Sequence, residues 1–229
     1  MIGMATVLHI WANPKPKSES YSLRLAQAFI ERYRQLSPRD EIIDLDLYQQ
    51  DIPFIDGEVL RCWEQGAEGA SGETQAKLLA IDRLTDSFIQ ADKYIFVTPM
   101  WNLGIPPLMK AYIDTICIAG KTFKYTAQGS VGLLRGKKAV HIQARGGVYS
   151  HGPMQDLELG DRYIRSILTF LGVEDYQAVI AEGMAQDPER AEAIFQDALN
   201  RARLAAEGFA LGPGVQHEDY RQHSVHPIH

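Results

Sequence analysis

Cysteine is scarce in this chain: two in 229 residues, Cys62 and Cys117, far apart and outside any CxxC pattern. That excludes a disulfide framework and a cysteine-rich metal site, and leaves two buried, reduced thiols in a cytoplasmic protein as the expectation. Excess positive charge is missing too. With 23 Lys and Arg against 29 Asp and Glu the net charge is −6, and no basic run exceeds Lys137-Lys138. Such a surface suits neither nucleic acid nor an anionic membrane, both of which are bound through clustered Lys and Arg. No apolar run approaches the roughly 20 residues of a membrane-spanning helix. Residues 1–10 lack the charged start and cleavage site of a signal peptide. Neither GxGxxG nor GxxxxGK followed by Ser or Thr occurs, so no dinucleotide-wrapping turn and no nucleoside triphosphate site is indicated. No Ser-His-Asp or His-Cys constellation is evident. Four histidines crowd the last 13 residues without regular ligand spacing, so no metal is expected.

What is present is a regular alternation of two periods. Residues 5–11, 94–98, 137–144 and 176–181 are short, largely apolar runs, and 41–47 alternates toward its end. Near-continuous apolar runs of this length read as buried strands of a parallel sheet. Pro99 is expected to end the third of them, because it cannot donate to a ladder. Between the strands lie helical patterns at 22–36, 73–90 and 156–171, one opened by Pro106-Pro107, and one at 187–207. In 73–90 the side formed by Ala76, Leu79, Ala80, Arg83 and Leu84 is the candidate inner face. In 156–171 the candidate core is Leu157, Tyr163, Ile164, Ile167, Leu168 and Leu171, with Gly172 placed to cap the end. Residues 48–72 read as a long loop with one short helix around 59–64, and 120–129 as a small hairpin or extended excursion.

Strands and helices in alternation, with no composition break, predict one α/β domain over residues 1–207 and a polar tail at 208–229. Right-handed crossovers favour a doubly wound five-stranded parallel sheet of order 2-1-3-4-5, with helices on both faces. The loops after strands one, three and four then share a crevice at the switch point. The first, Ser18-Glu19-Ser20-Tyr21-Ser22, puts three hydroxyls at a helix amino end, where free N–H groups and the helix dipole suit a phosphate. The same residues would also serve as a plain N-cap. The second, Met100-Trp101-Asn102-Leu103, offers an aromatic wall and an amide, or a tucked core tryptophan. The third, Arg145-Gly146-Gly147, lets backbone N–H groups approach a ligand, or simply turns the chain. Together they fit a monophosphorylated planar cofactor, of which flavin mononucleotide (FMN) is the obvious one.

The run from Pro99 to Asp114, the segment Ala119 to Ala139 and Arg145-Gly146-Gly147 resemble the FMN-dependent NADH:azoreductase and quinone reductase family of the flavodoxin-like fold. The likeness spans essentially residues 5–206. It implies that Ser18, Ser20, Tyr21 and Ser22 hold the FMN phosphate. It also implies that Met100, Trp101, Asn102 and Leu103 flank the ring, and that Ala144, Arg145, Gly146 and Gly147 border its pyrimidine edge. By the same resemblance the activity is a two-electron, ping-pong reduction of quinones or azo compounds by NADH or NADPH in a homodimer, with no amino-acid nucleophile. Asn102 and Arg145 are expected to support that chemistry, Arg145 by stabilising negative charge on the reduced ring. Three departures remove or alter contacts: Ala12 where a serine is frequent, Trp101 where tyrosine is usual, and Ala144 before Arg145. Asn13 is the candidate to replace one lost hydroxyl. Tyr125, Tyr149 and His151 are candidate proton donors to product, while His9 and His141, within strands, read as core residues. The rival class is a flavodoxin-type electron carrier, which binds FMN without turning over a small substrate.

Overall fold

The computed structural model of the protein describes residues 4–211. The strands are β1 (Thr6–Trp11), β2 (Glu41–Asp46), β3 (Lys93–Pro99), β4 (Phe123–Thr126), β5 (Gly129–Gly132), β6 (Lys138–Ala144) and β7 (Asp175–Ala181). The helices are α1 (Tyr21–Leu36), α2 (Gly57–Gln65), α3 (Gly72–Gln90), α4 (Pro107–Ile116), α5 (Gly160–Leu171) and α6 (Ala191–Ala210). A five-stranded parallel sheet has the order β2-β1-β3-β6-β7, and β4 and β5 pair antiparallel as a separate hairpin. Numbering only the strands of the large sheet gives the expected 2-1-3-4-5. No helix among the described residues is long and apolar enough to cross a membrane.

The side-chain period of two divides the central strands between two cores. Leu8, Ile10, Tyr94 and Phe96 face α4, α5 and Phe88 of α3. Val7, Ile95, Val97 and Val140 face α1 and α6 on the other side. Both faces are covered, so β1, β3 and β6 are buried along nearly their whole length, including the polar His141 and Gln143 of β6. Edge strand β2 is half exposed and keeps polar alternation. Truncating a fully buried Phe96 to alanine would cost about 3–5 kcal/mol, a large share of a domain's net stability.

Several local expectations need correction. The inner face of α3 is Thr74, Ile81, Thr85 and Phe88, while Ala76, Leu79 and Arg83 point to solvent. The Thr85 hydroxyl donates to the carbonyls of Ile81 and Thr115, so a polar side chain occupies an inner position without an unpaired group. Helix α5 starts at Gly160, and Leu157 lies exposed in the preceding turn. The Glu158 carboxylate accepts the N–H groups of Asp161 and Arg162 and so fixes that later start. Pro99 is the last residue of β3, as expected, but it still takes part in the ladder. It pairs with Ala144, and the Met100 N–H still donates to the Ala144 carbonyl at 2.9 Å. Residues alternate their donors between neighbours, so the donor Pro99 lacks would point toward β1, whose pairing has stopped at Trp11 opposite Val97. Helix α6 runs through Gly208 to Ala210, and the tail from residue 212 on, including its four histidines, lies outside the described residues. Cys62 and Cys117 are free but only partly buried. Burial pushes the Cys117 thiol up to about 11, which keeps it protonated and unreactive near neutral pH.

Candidate functional site

The loops after β1, β3, β6 and β7 border one cavity of about 310 Å³ at the carboxyl edge of the sheet. Its polar end is built from the β1–α1 loop. Ser20 is the N-cap of α1, in extended backbone, and its Oγ accepts the Leu23 N–H at 3.3 Å. Buried Asn13 donates its Nδ2 to the same oxygen at 2.7 Å, while its Oδ1 accepts the Lys15 N–H at 3.0 Å. Both acceptor positions of Ser20 are thus filled, so its proton goes to Ser22 Oγ, 3.1 Å away. Ser22 as acceptor leaves its own proton to donate. Asn13, Ser20 and Ser22 form a relay whose free donor, with the first-turn N–H groups of Tyr21 and Ser22, borders the cavity. Lys15 adds a cation there and Glu19 a carboxylate. Ser18 sits on the exposed turn Lys17–Glu19 and does not line the wall.

The apolar end comes from the second turn. Trp101 and Gly104 exchange both backbone bonds, N to O at 3.0 and 2.9 Å. Asn102 at φ 47° and Leu103 at φ 71° are both left-handed, which defines a tight primed turn. For leucine this backbone costs on the order of 1 kcal/mol. The turn is held from outside by the Leu159 N–H, which donates to the Leu103 carbonyl at 3.0 Å. Met100 and Trp101 line the cavity, whereas Asn102 and Leu103 form the bend that carries them.

Ala144, Arg145 and Gly146 line the third side. Gly147 does not, and neither glycine has a left-handed φ. Their value is close packing: a Cβ on Gly146 would meet Ala185 at 3.3 Å, and one on Gly147 would meet the Tyr149 ring at 3.3 Å. The Gly146 carbonyl accepts the Ala185 N–H at 2.9 Å, which brings Met184 and Ala185 into the wall from the loop after β7. Sequence reasoning missed that loop, along with Lys15 and Glu19. Met184 and Ala185 carry no chemical signal, and only the β6–β7 neighbour relation could have pointed to them.

Arg145 needs the largest correction. Its guanidinium is buried and already paired, to Glu158 at 3.1 Å, Glu182 at 3.4 Å and Gln143 Oε1 at 2.7 Å. It is not a free cation aimed at a ligand. The contacts continue beneath the site through Thr98, His141 and Asp161. Gln143 donates to Thr98 at 3.2 Å, Thr98 meets His141 Nε2 at 2.9 Å, and His141 Nδ1 meets Asp161 at 2.9 Å. His141 is therefore a satisfied core residue. His9 is half so: Nδ1 contacts Asp44 at 2.7 Å, while its buried Nε2 has no partner. Burial pushes the Glu182 carboxyl up, but bonds from Ser150 and the Tyr149 N–H and the charge of Arg145 outweigh it. The group is held below the usual glutamate range and ionised. Glu182 thereby anchors residues 149–150. Tyr125 is exposed on the β4–β5 hairpin, and neither Tyr149 nor His151 lines the cavity.

A donor-rich polar end and a flat apolar end, joined in one cleft, suit a ligand with a phosphate and a planar ring. The comparisons agree with that chemistry. A family model described as flavodoxin-like fold matches residues 5–205. An FMN-dependent NADH:quinone oxidoreductase of Bacillus pumilus is 48% identical over 211 residues, 90% of this chain and 100% of its own length. FMN-dependent NADH:quinone oxidoreductase 2 of Bacillus subtilis is 46% identical over the same coverage. An FMN-dependent NADH-azoreductase of Bacillus anthracis, solved in complex with FMN, superposes with TM-score 0.85 at 37% identity. It covers 91% of this chain and 100% of its own.

Proposed function

The chain belongs to this flavodoxin-like family of FMN-dependent NADH:quinone oxidoreductases, and from that membership we propose how its own residues serve the activity. It is an FMN-dependent oxidoreductase that takes electrons from NADH and reduces quinones or azo compounds. The relatives named above are enzymes with substrates of their own, which favours this reading over a flavodoxin-type carrier. When bound, FMN supplies the two-electron chemistry between nicotinamide and acceptor.

The observation that carries the assignment of the site is the convergence of the Asn13–Ser20–Ser22 relay with Trp101 around one cavity. Tyr21 and Ser22 would hold the phosphate through first-turn N–H groups and the Ser22 hydroxyl, which Ser20 orients, with Lys15 offsetting its charge. Met100, Trp101 and Met184 would cover the ring and exclude water. Ala144, Gly146 and the bend Asn102–Leu103 would border its edge, with backbone groups rather than the Arg145 guanidinium facing the ligand. Ser18 and Gly147 belong to the same turns one step behind the wall. A homodimer, ping-pong kinetics and a single domain over residues 1–207 belong to the same proposal. Light scattering on a sizing column tests the first, and parallel double-reciprocal plots for NADH and benzoquinone test the second.

The direct experiment is reconstitution with FMN followed by anaerobic addition of NADH. Full bleaching of the flavin spectrum and its return with benzoquinone are expected. A bound flavin that NADH leaves unbleached would favour the carrier.

A further inference from the structure

The Arg145 cluster has a charge balance that bears on the cavity beside it. One cation meets two carboxylates, but they are not equivalent. Glu158 spends its charge on the amino end of α5, accepting Asp161 N–H at 2.8 Å and Arg162 N–H at 3.2 Å. A helix start carries roughly half a positive charge, which offsets much of that carboxylate. Glu182 faces no helix end. It sits just past β7, with Arg145, the N–H groups of Tyr149 and Ser150 and the Ser150 hydroxyl as partners. Glu182 is therefore the counter-charge to Arg145 that no helix end offsets.

Arg145 itself belongs to the cavity wall, yet its side chain is only 4% exposed. A buried charge there acts on the cavity with little solvent screening. A reduced flavin ring carries more negative charge than an oxidised one, so an unbalanced Arg145 would favour the reduced form. Resting on the FMN reading above, we propose that Glu182 sets the reduction potential of the bound cofactor by neutralising Arg145. Glu182 is a positioning residue here: it does not line the cavity, and it acts through Arg145.

The test is the midpoint potential of the FMN-loaded protein, measured by dye-linked redox titration for wild type, Glu182→Gln, Arg145→Gln and the double variant. Glu182→Gln should strengthen binding of reduced over oxidised FMN about tenfold, a rise of about 30 mV for a two-electron couple. Arg145→Gln should shift the potential by a similar factor the other way, and the double variant should return close to wild type. Ser150→Ala removes a hydroxyl partner of Glu182 without changing charge, so a purely structural role for Glu182 predicts the same rise in Ser150→Ala. That result would overturn the proposal, as would an unmoved potential in Glu182→Gln. If Glu182→Gln does not fold, the downward shift in Arg145→Gln supports the proposal and its absence overturns it. A wild-type chain that takes up no FMN defeats the functional reading itself, whereas bound FMN with unmoved potentials defeats only this inference.

Discussion

Asn13 Nδ2 donates to Ser20 Oγ at 2.7 Å, and that bond decides which way the hydroxyl protons of the β1–α1 loop point. Ser20 also accepts the Leu23 N–H, so the last free donor is passed to Ser22. A hydrogen bond to a charged acceptor is worth about 2 kcal/mol, so Ser22→Ala should weaken FMN binding roughly 30-fold. Asn13→Ala, which only removes the aim of the relay, should cost about 1 kcal/mol, roughly fivefold. Ser18→Ala should leave the affinity unchanged. Fluorescence titration with FMN measures all three, and a loss in Ser18→Ala equal to that in Ser22→Ala would move the phosphate to another part of the loop.

The hairpin β4–β5 has no room for side chains where it meets α5. A Cβ on Gly132 would lie 2.2 Å from the Gly172 nitrogen and 2.3 Å from the Leu171 carbonyl carbon, both backbone. Gly172 itself ends α5 at φ +96°. Neither backbone can retreat cheaply, so Gly132→Ala should destabilise the protein by about 3 kcal/mol or more, the range of core overpacking. Urea denaturation gives the number, and a loss under about 1 kcal/mol would mean the hairpin is free to shift.

Asp161 links acid stability to the network under the site. Burial pushes its carboxyl up, but the contact with His141, the Tyr176 bond and Arg165 outweigh that and lower it to about 2. A carboxylate depressed in the folded state adds stability above its unfolded value, and that stability is lost as pH falls through the folded value. The contribution amounts to about 2 kcal/mol, present above roughly pH 4 and gone below about pH 2. Asp161→Asn should be less stable at neutral pH and should show a flatter rise of stability between those limits. Equal slopes for variant and wild type in acid denaturation would show that Asp161 does not carry this dependence.

How much of this was legible in the sequence depends on what each residue must bury. β1, β3 and β6 are buried on both faces and mostly apolar, and the Gly172 cap and the turn after β3 are written in single residues. The α3 face was not, because its inner line includes Thr74 and Thr85, whose hydroxyls are satisfied by partners that polarity alone cannot show. At the site, Ser20, Ser22, Met100 and Trp101 were readable from strand ends and a helix start. The neutralisation of Arg145 was not, since Glu158 and Glu182 lie on separate segments that meet it only when β6 and β7 pair. Nor was the Met184 wall, which consists of contact rather than chemistry.

The central claim is that this cavity holds FMN and that the loaded protein passes electrons from NADH to a quinone. Stopped-flow absorbance of the FMN-reconstituted protein, mixed first with NADH and then with benzoquinone, tests it most directly. The account predicts rapid loss of the oxidised flavin band followed by its full return. A protein that takes up no FMN, or whose bound flavin is bleached by NADH but not restored by benzoquinone in the absence of oxygen, would contradict it.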